Sequence, residues 1–305
     1  VKDSIYYPQV KLLIRCLPEV AKEACFALKG GTAINLFVRD LPRLSVDIDL
    51  VYLPIESREE SLKNIEAALK RISNGIRKSI KGSKVNESKS AASTSIEKLF
   101  VSLNGAQIVI EPNPVIRGIV HPGTQMDLVK SAEDLFGLTA SIHVVSQPDL
   151  YGGKIVAALD RQHPRDLFDV KLLMEDEGLS KKIREVFVIY LASHSRPASE
   201  VIQPTLHDMK TTFENEFSGM TRIPFPYNDF LSTRTTLIRS LNEGLSTKEK
   251  SFLISLQEGN PQWNLLTAPD IQKLPALQWK LQNVKKMAPK KRELAASALK
   301  SKLGL

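Results

Sequence analysis

The stretch LSVDIDLVYL, residues 44–53, constrains the fold most, because it has the β-branched and apolar content of a strand yet carries two aspartates separated by one isoleucine. Side chains alternate along a strand, so Asp47 and Asp49 project to one face while Val46, Ile48 and Leu50 project to the other. One face of the sheet is therefore apolar and the other carries adjacent like charges that repel unless something neutralises them. Just upstream, Gly30 and Gly31 interrupt the first 40 residues, which read as helix, glycine turn, helix.

The length of 305 residues is enough for two domains, and the expected boundary lies near residue 178, giving 1–177 and 178–305. Leu62, Ile65, Leu69, Ile72, Ile76 and Ile80 recur at helical spacing, which predicts an amphipathic helix. The polar stretch GSKVNESKSAASTS, residues 82–95, reads as a loop. After it, KLFVSLNGAQIVIEP reads as two strands joined by Asn104 and Gly105, a dipeptide that tolerates positive φ in a tight hairpin. Gln107, Val109 and Glu111 share a face of the second strand, so Glu111 becomes a third carboxylate beside Asp47 and Asp49 if the strands are neighbours. The following Pro112 makes an edge position the other reading of Glu111.

From Asp149 to Glu177 the pattern is two helices interrupted at Pro164, since proline starts a helix well and cannot continue one. Lys154 and Arg161 lie two turns apart on one helix face, and the break can fold the helix of Asp169 back alongside. Lys154 also reads as an exposed helical lysine, and Asp169 as an i, i+4 partner of Arg165. Asp166 reads as a favourable charge at a helix start. Beyond residue 178 the chain is mostly helical, its clearest start being the capping box of Ser246 and Glu249.

No apolar run approaches the roughly 20 residues needed to span a bilayer, and the opening VKDSIYYPQV does not read as a signal peptide, so a cytoplasmic protein is expected, with no membrane partner. Cys16 and Cys25 lie in an apolar stretch and are expected to be small hydrophobes without chemistry. Nearly all of the net charge of +8 is concentrated between Lys280 and Lys302, where eight basic residues face Glu293 alone. Such a tail is either a polyanion contact or a solvated terminal helix. Trp263 and Trp279, among leucines, are expected in the core of the helical part, and His163 beside Pro164 reads as structural.

Paired carboxylates on a strand suit Mg²⁺, which takes oxygen ligands. Adjacent glycines let backbone approach a ligand closely, and a helix that begins there at Thr32 offers free N–H groups to phosphate. Together the two features fit a nucleoside triphosphate with its metal.

In this order and spacing, GGTAINLFVRDLPRLSVDIDL resembles the signature of the DNA polymerase β nucleotidyltransferase superfamily, and within it the AbiEii/AbiGii toxin family. EPNPVIRG, GGKIVAALDRQHPRDLFDV, FLISLQEGNPQW and LPALQWKLQNV are also similar to that family. The resemblance implies an α+β fold, with a polymerase β-like core of mixed sheet flanked by helices and a mainly helical C-terminal domain. It implies that Asp47 and Asp49 bind metal, with Glu111 as a further ligand, and that Gly30, Gly31 and Thr32 form the turn that grips the triphosphate. Lys154 then holds the triphosphate with Arg161 nearby, Asp169 accompanies it in the active site, and Arg117 is a further phosphate contact. The implied activity is Mg²⁺-dependent transfer of nucleotides from a nucleoside triphosphate to RNA, foremost the 3′ end of tRNA, by a growth-inhibiting toxin paired with an antitoxin protein. Nucleotidylation of a protein or small-molecule hydroxyl, and a non-catalytic module that binds RNA or antitoxin, are the alternatives.

Overall fold

The computed structural model describes residues 4–89 and 95–305. Its contacts divide the chain into two compact units, residues 1–146 with 218–224, and residues 147–217 with 225–305.

The first unit is built on a seven-stranded mixed sheet. Its strands are β1 (Phe26–Lys29), β2 (Asp47–Tyr52), β3 (Lys84–Lys89), β4 (Ile96–Leu103), β5 (Ala106–Pro112), β6 (Thr124–Asp127) and β7 (Ser141–Val144), in the spatial order β3-β4-β5-β2-β1-β7-β6. Helix α1 (Tyr7–Ala21) packs against β5 and β7. The short α2 (Gly30–Ala33) runs into a widened turn, Ile34–Val38, closed by Arg39 N–H donating to Ile34 O at 2.8 Å. Helix α3 (Arg58–Ser79) lies against β3 and β4, and α4 (Lys130–Phe136) follows β6. Ile65, Leu69, Ile72 and Ile76 of α3 are buried, as their spacing predicts.

Strand β2 lies inside the sheet, antiparallel to β1 and parallel to β5, and its register sets Asp49 beside Lys29 on one side and Glu111 on the other. Asp47 and Asp49 are half-buried while Ile48 and Leu50 are fully buried, so the two faces of the strand separate as expected. The β4–β5 hairpin turns at Asn104 and Gly105, both with positive φ (49° and 83°). Pro112 does not make β5 an edge strand, since β5 is flanked by β4 and β2; the proline is its last residue, where a missing N–H is tolerated.

Two strands depart from the sequence expectation. Residues 26–29 form a strand between helix and glycine turn, too short to show alternation but held on both sides by β2 and β7. Within the polar stretch expected as a loop, Lys84–Lys89 pairs antiparallel with β4 at the edge of the sheet, where pairing outweighs weak strand propensity and lysines suit an exposed edge. Residues 90–94 of that stretch lie outside the described residues.

The second unit is helical: α5 (Gln147–Arg161), α6 (Pro164–Asp176), α7 (Lys181–Ala192), α8 (Ala198–Ile202), α9 (Lys210–Thr212), α10 (Tyr227–Gly244), α11 (Thr247–Gln257), α12 (Pro275–Lys286) and α13 (Pro289–Leu303). The sequence put a boundary at 177/178, whereas the packing divides at 146/147. Glycines in α5 supply the reason: a β-carbon on Gly152 would lie 2.8 Å from Val186 Cγ1 and 2.9 Å from Phe187 N, so α5 seats directly on α7 and joins the C-terminal helices. Helix α11 begins with the Ser246–Glu249 capping box. No helix among the described residues is long and apolar enough to cross a membrane.

Candidate active site

The glycine turn and the aspartate strand meet within the first unit. Lys29 and Asp49 are cross-strand partners, so the chain leaves β1 beside Asp49 and turns at Gly30, whose φ of +72° lies in the left-handed region. A β-carbon on Gly30 would fall inside the Asp49 carboxylate, and only a bare glycine leaves that space. The turn is also tied to β2: the Thr32 hydroxyl donates to Asp47 O at 2.5 Å and hydrogen-bonds Ser45 Oγ at 3.1 Å. Asn35 Nδ2 donates back to Gly31 O at 2.9 Å.

Behind Gly31 lies a buried guanidinium that the sequence reading did not single out. A β-carbon on Gly31 would stand 2.6 Å from Arg43 Nη2 and 2.9 Å from Ser45 Oγ, and Arg43 Nη1 donates to Leu44 O at 2.8 Å. Residues 218–224 rejoin this unit here, Leu44 N–H donating to Met220 O and Arg222 N–H to Pro42 O. The signal in the sequence was an arginine placed four residues before Asp47 in an otherwise apolar run.

Glu111 stands in register with Asp49, but its side chain is half-exposed and lies 3.7 Å from Lys98 Nζ. Among the described residues no group of three or more His, Cys, Asp or Glu side chains is placed to hold a metal ion alone. Asp47 and Asp49 share a strand face, and the Asp49 carboxylate lies against the glycine turn; two hard-oxygen donors fit Mg²⁺, an ion that completes its shell with water and substrate phosphates. Arg117 is buried; its Nη1 donates to Ser57 O at 3.4 Å, its Nε has no hydrogen-bond partner among the described residues, and burial together with Arg58 disfavours its charged form.

The second unit assembles a separate cluster. Lys154 is 7% exposed, not the surface lysine that helical spacing alone allows, and its Nζ lies 2.9 Å from Asp166 Oδ1 and 3.1 Å from Asp169 Oδ2. Arg161, largely exposed, donates from Nη2 to Asp166 Oδ2 at 2.7 Å. Asp166 is thus more than a helix-start charge: it sits in the first turn of α6 and bridges Lys154 and Arg161 across the Pro164 elbow. Its spacing from Lys154 crosses the helix break, which is why periodicity along one helix did not reveal it. The elbow is fixed by Gln162, which adopts φ +53°, and by His163, whose Nδ1 accepts from Arg165 N–H as the α6 cap. Phe168, 5.4 Å from Phe225 and 5.8 Å from Phe217 between ring centroids, anchors α6 in the apolar core.

Two further expectations divide. Cys16 is buried on α1, where desolvation pushes its thiol up to about 12, whereas Cys25 lies past the helix and is half-buried, its thiol pushed up to about 11 by burial and Glu23. Trp263 packs 5.9 Å from Phe252, but Trp279 is 54% exposed and outside the core, because its position on α12 faces away from buried Leu277 and Leu281.

A mixed sheet carrying two aspartates on a central strand, with a glycine turn wrapped against one of them, is the architecture of a nucleotidyltransferase. The chain belongs to the family described as nucleotidyl transferase AbiEii toxin of type IV toxin–antitoxin systems, matching it over residues 11–283. Its structure is similar to that of MenT4, a nucleotidyltransferase toxin from Mycobacterium tuberculosis H37Rv, with a TM-score of 0.59 at 13% identity, over 96% of this chain and 92% of that one. No curated protein matches the sequence significantly.

Proposed function

We propose that this chain transfers a nucleotidyl group from a nucleoside triphosphate to an RNA hydroxyl, with the 3′ end of tRNA as acceptor, so that growth is blocked until a cognate antitoxin protein counters it. The observation that carries this reading is the close contact between the Gly30 turn and the Asp49 carboxylate, which sets a bare backbone turn against one of the two aspartates. Membership of the AbiEii family supports the reaction class.

Asp47 and Asp49 would hold Mg²⁺, with Glu111 as a further ligand on the neighbouring strand. When bound, that ion supplies charge neutralisation at the phosphates and a more acidic attacking hydroxyl. Gly30 and Gly31 present backbone N–H groups without side-chain obstruction, and Thr32 keeps the turn closed on β2. Lys154 is assigned to the triphosphate: its ammonium carries three donors, of which two point to Asp166 and Asp169, so its position is fixed before substrate arrives. Arg161 is assigned to phosphate and Asp169 to orienting Lys154. On these roles the nucleotidyltransferase domain spans 1–177 functionally, although α5 and α6 pack with the later helices, and 178–305 is the helical domain with its basic tail.

The test is incubation with Mg²⁺, each labelled nucleoside triphosphate, and total RNA and protein, with Asp49→Ala as control. Label entering RNA of tRNA size only with Asp49 present supports the proposal. Label in protein redirects it to nucleotidylation of a protein hydroxyl, and absence of Asp49-dependent label leaves a binding module.

A further inference from the structure

The basic residues of the C-terminal tail divide into two groups. Lys280 reaches out from α12 to the loop after α7, where its Nζ donates to His194 O at 2.7 Å and Arg196 O at 3.0 Å; Lys300 pairs with Glu258 at 2.8 Å. These are structural. Lys285 and Lys286 at the end of α12, and Lys290, Lys291 and Arg292 at the start of α13, have no ion-pair partner among the described residues. The aliphatic stem of Lys285 and the Arg292 guanidinium both lie against Gly259, since a β-carbon there would lie 3.7 Å from Lys285 Cγ and 3.7 Å from Arg292 Nη1. No acidic residue occurs between Asp270 and Glu293 to offset them. Like charges with no offsetting acid oppose the compact state, and an anionic ligand lying over them relieves that repulsion.

Trp279 lies on the same helix as Lys285 and Lys286. Gln282, Asn283 and Lys286 follow it at i+3, i+4 and i+7 and are all exposed, so the indole stands on a polar, cationic helix face. The exposed residues that follow it on this face are two amides and an ammonium group, with no second large apolar side chain among them to extend a protein–protein contact. An exposed ring among Lys, Gln and Asn is the chemistry of an unpaired nucleic-acid strand, in which bases stack on aromatics while cations follow the phosphates.

We infer that the α12–α13 junction is a docking surface for single-stranded RNA, with Trp279 stacking on one base and Lys285, Lys286, Lys290, Lys291 and Arg292 tracking the backbone. The inference rests on the RNA-acceptor reading and assigns the side chains that hold that acceptor.

The test uses the full chain, an unstructured RNA oligonucleotide and no nucleoside triphosphate. With Trp263→Phe as background the emission comes from Trp279, and RNA is expected to quench it. Trp279→Ala is expected to weaken binding about tenfold or more, whereas Trp279→Phe, which keeps a stacking ring, restores most of it. Combining Lys290→Ala, Lys291→Ala and Arg292→Ala is expected to reduce the slope of log affinity against log salt by about 2, at about 0.7 for each phosphate no longer neutralised. Unchanged affinity in Trp279→Ala together with an unchanged slope in the triple variant overturns the surface. Competition by poly-glutamate as effective as that by RNA also overturns it, in favour of an acidic protein partner. Because binding is read without catalysis, loss of Asp49-dependent RNA labelling in the separate transfer assay strikes only the acceptor reading, and normal labelling with unaffected binding by the variants strikes only the surface.

Discussion

Gly30 and Asp49 are in such close contact that the smallest added side chain at position 30 would occupy the space of the Asp49 carboxylate. The relationship is fixed by register, since residue 29 pairs with residue 49 and the chain must turn immediately afterwards. It ties a backbone conformation open mainly to glycine to the placement of a candidate metal ligand.

Gly30→Ala is therefore expected to act twice. The left-handed φ of +72° costs about 1–2 kcal/mol for a residue with a β-carbon, which lowers the thermal midpoint by a few degrees. Displacement of Asp49 costs far more in function, and a fall of at least about 100-fold in Asp49-dependent labelling is expected, a size typical of misplaced catalytic groups. Nucleotidyl transfer and a thermal melt on the same preparation check both. Full transfer activity in the folded variant would detach the glycine turn from the reaction.

Lys154 is shared by two buried carboxylates, and removing it takes the same cation from both. Lys154→Met is expected to lose about 3–5 kcal/mol of stability, the usual size when a buried ion pair loses one partner. Adding Asp169→Asn removes one of the two carboxylates that lost the ammonium and should recover part of that loss while transfer stays off, because the assigned phosphate contact is still missing. Urea unfolding of the single and double variants decides the first half, and the labelling assay the second. A single variant as stable as the parent would show that the cluster contributes nothing to the fold.

The parts of this site that could be read from the sequence are those set by local geometry. Alternation along residues 47–50 put both aspartates on one face, and proline rules placed the elbow at Pro164, both as found. Asn104 and Gly105 marked the hairpin that brings β5 into the sheet. What could not be read depends on pairing between distant segments. The strand at 26–29 exists because β2 and β7 flank it, and the strand at 84–89 because β4 offers an edge. Arg43 became visible only where the missing side chain of Gly31 makes room for it, and Asp166 only where the elbow folds α6 toward Lys154. Trp279 was misjudged for the opposite reason, since aromatic content does not say which side of a helix meets the core.

Glu185 on α7 is a buried carboxylate that accepts from Thr267 N–H, from the Thr267 hydroxyl at 2.7 Å and from Ala268 N–H at 3.2 Å, fixing the loop that precedes α12. Glu185→Ala leaves those donors unpartnered and is expected to cost about 2–3 kcal/mol. Glu185→Gln keeps one oxygen for the two backbone donors, and the threonine hydroxyl can reverse to accept from the new amide, so a cost of about 1 kcal/mol is expected. Chemical denaturation of both variants gives the ordering. Equal losses would mean that neither the volume nor the single oxygen that glutamine keeps supports the loop, and that the carboxylate's charge or its second oxygen does.

His163 makes stability depend on pH in a definite direction. Its Nδ1 caps α6 only while unprotonated there, and its Nε2 lies 3.3 Å from Glu216. Burial and Arg165 pull its pKa below the ordinary 6.5, against the opposing pull of Glu216 and Asp166. A base whose folded pKa is depressed binds its proton more readily in the unfolded chain, so the contribution is fully present above pH 6.5 and is lost as pH falls from there through the folded value. His194 is shifted the same way, by burial with Lys280 and Arg196 against Asp160. The thermal midpoint is accordingly expected to drop between about pH 7.5 and 5.5. His163→Asn supplies a capping oxygen that does not titrate, so its midpoint near pH 7.5 should stay within a few degrees of the parent while its fall toward pH 5.5 becomes shallower. Thermal melts of parent and variant across that range check the sign. A variant whose midpoint falls as steeply as the parent's would remove His163 from the titration and leave His194 as the group to replace next.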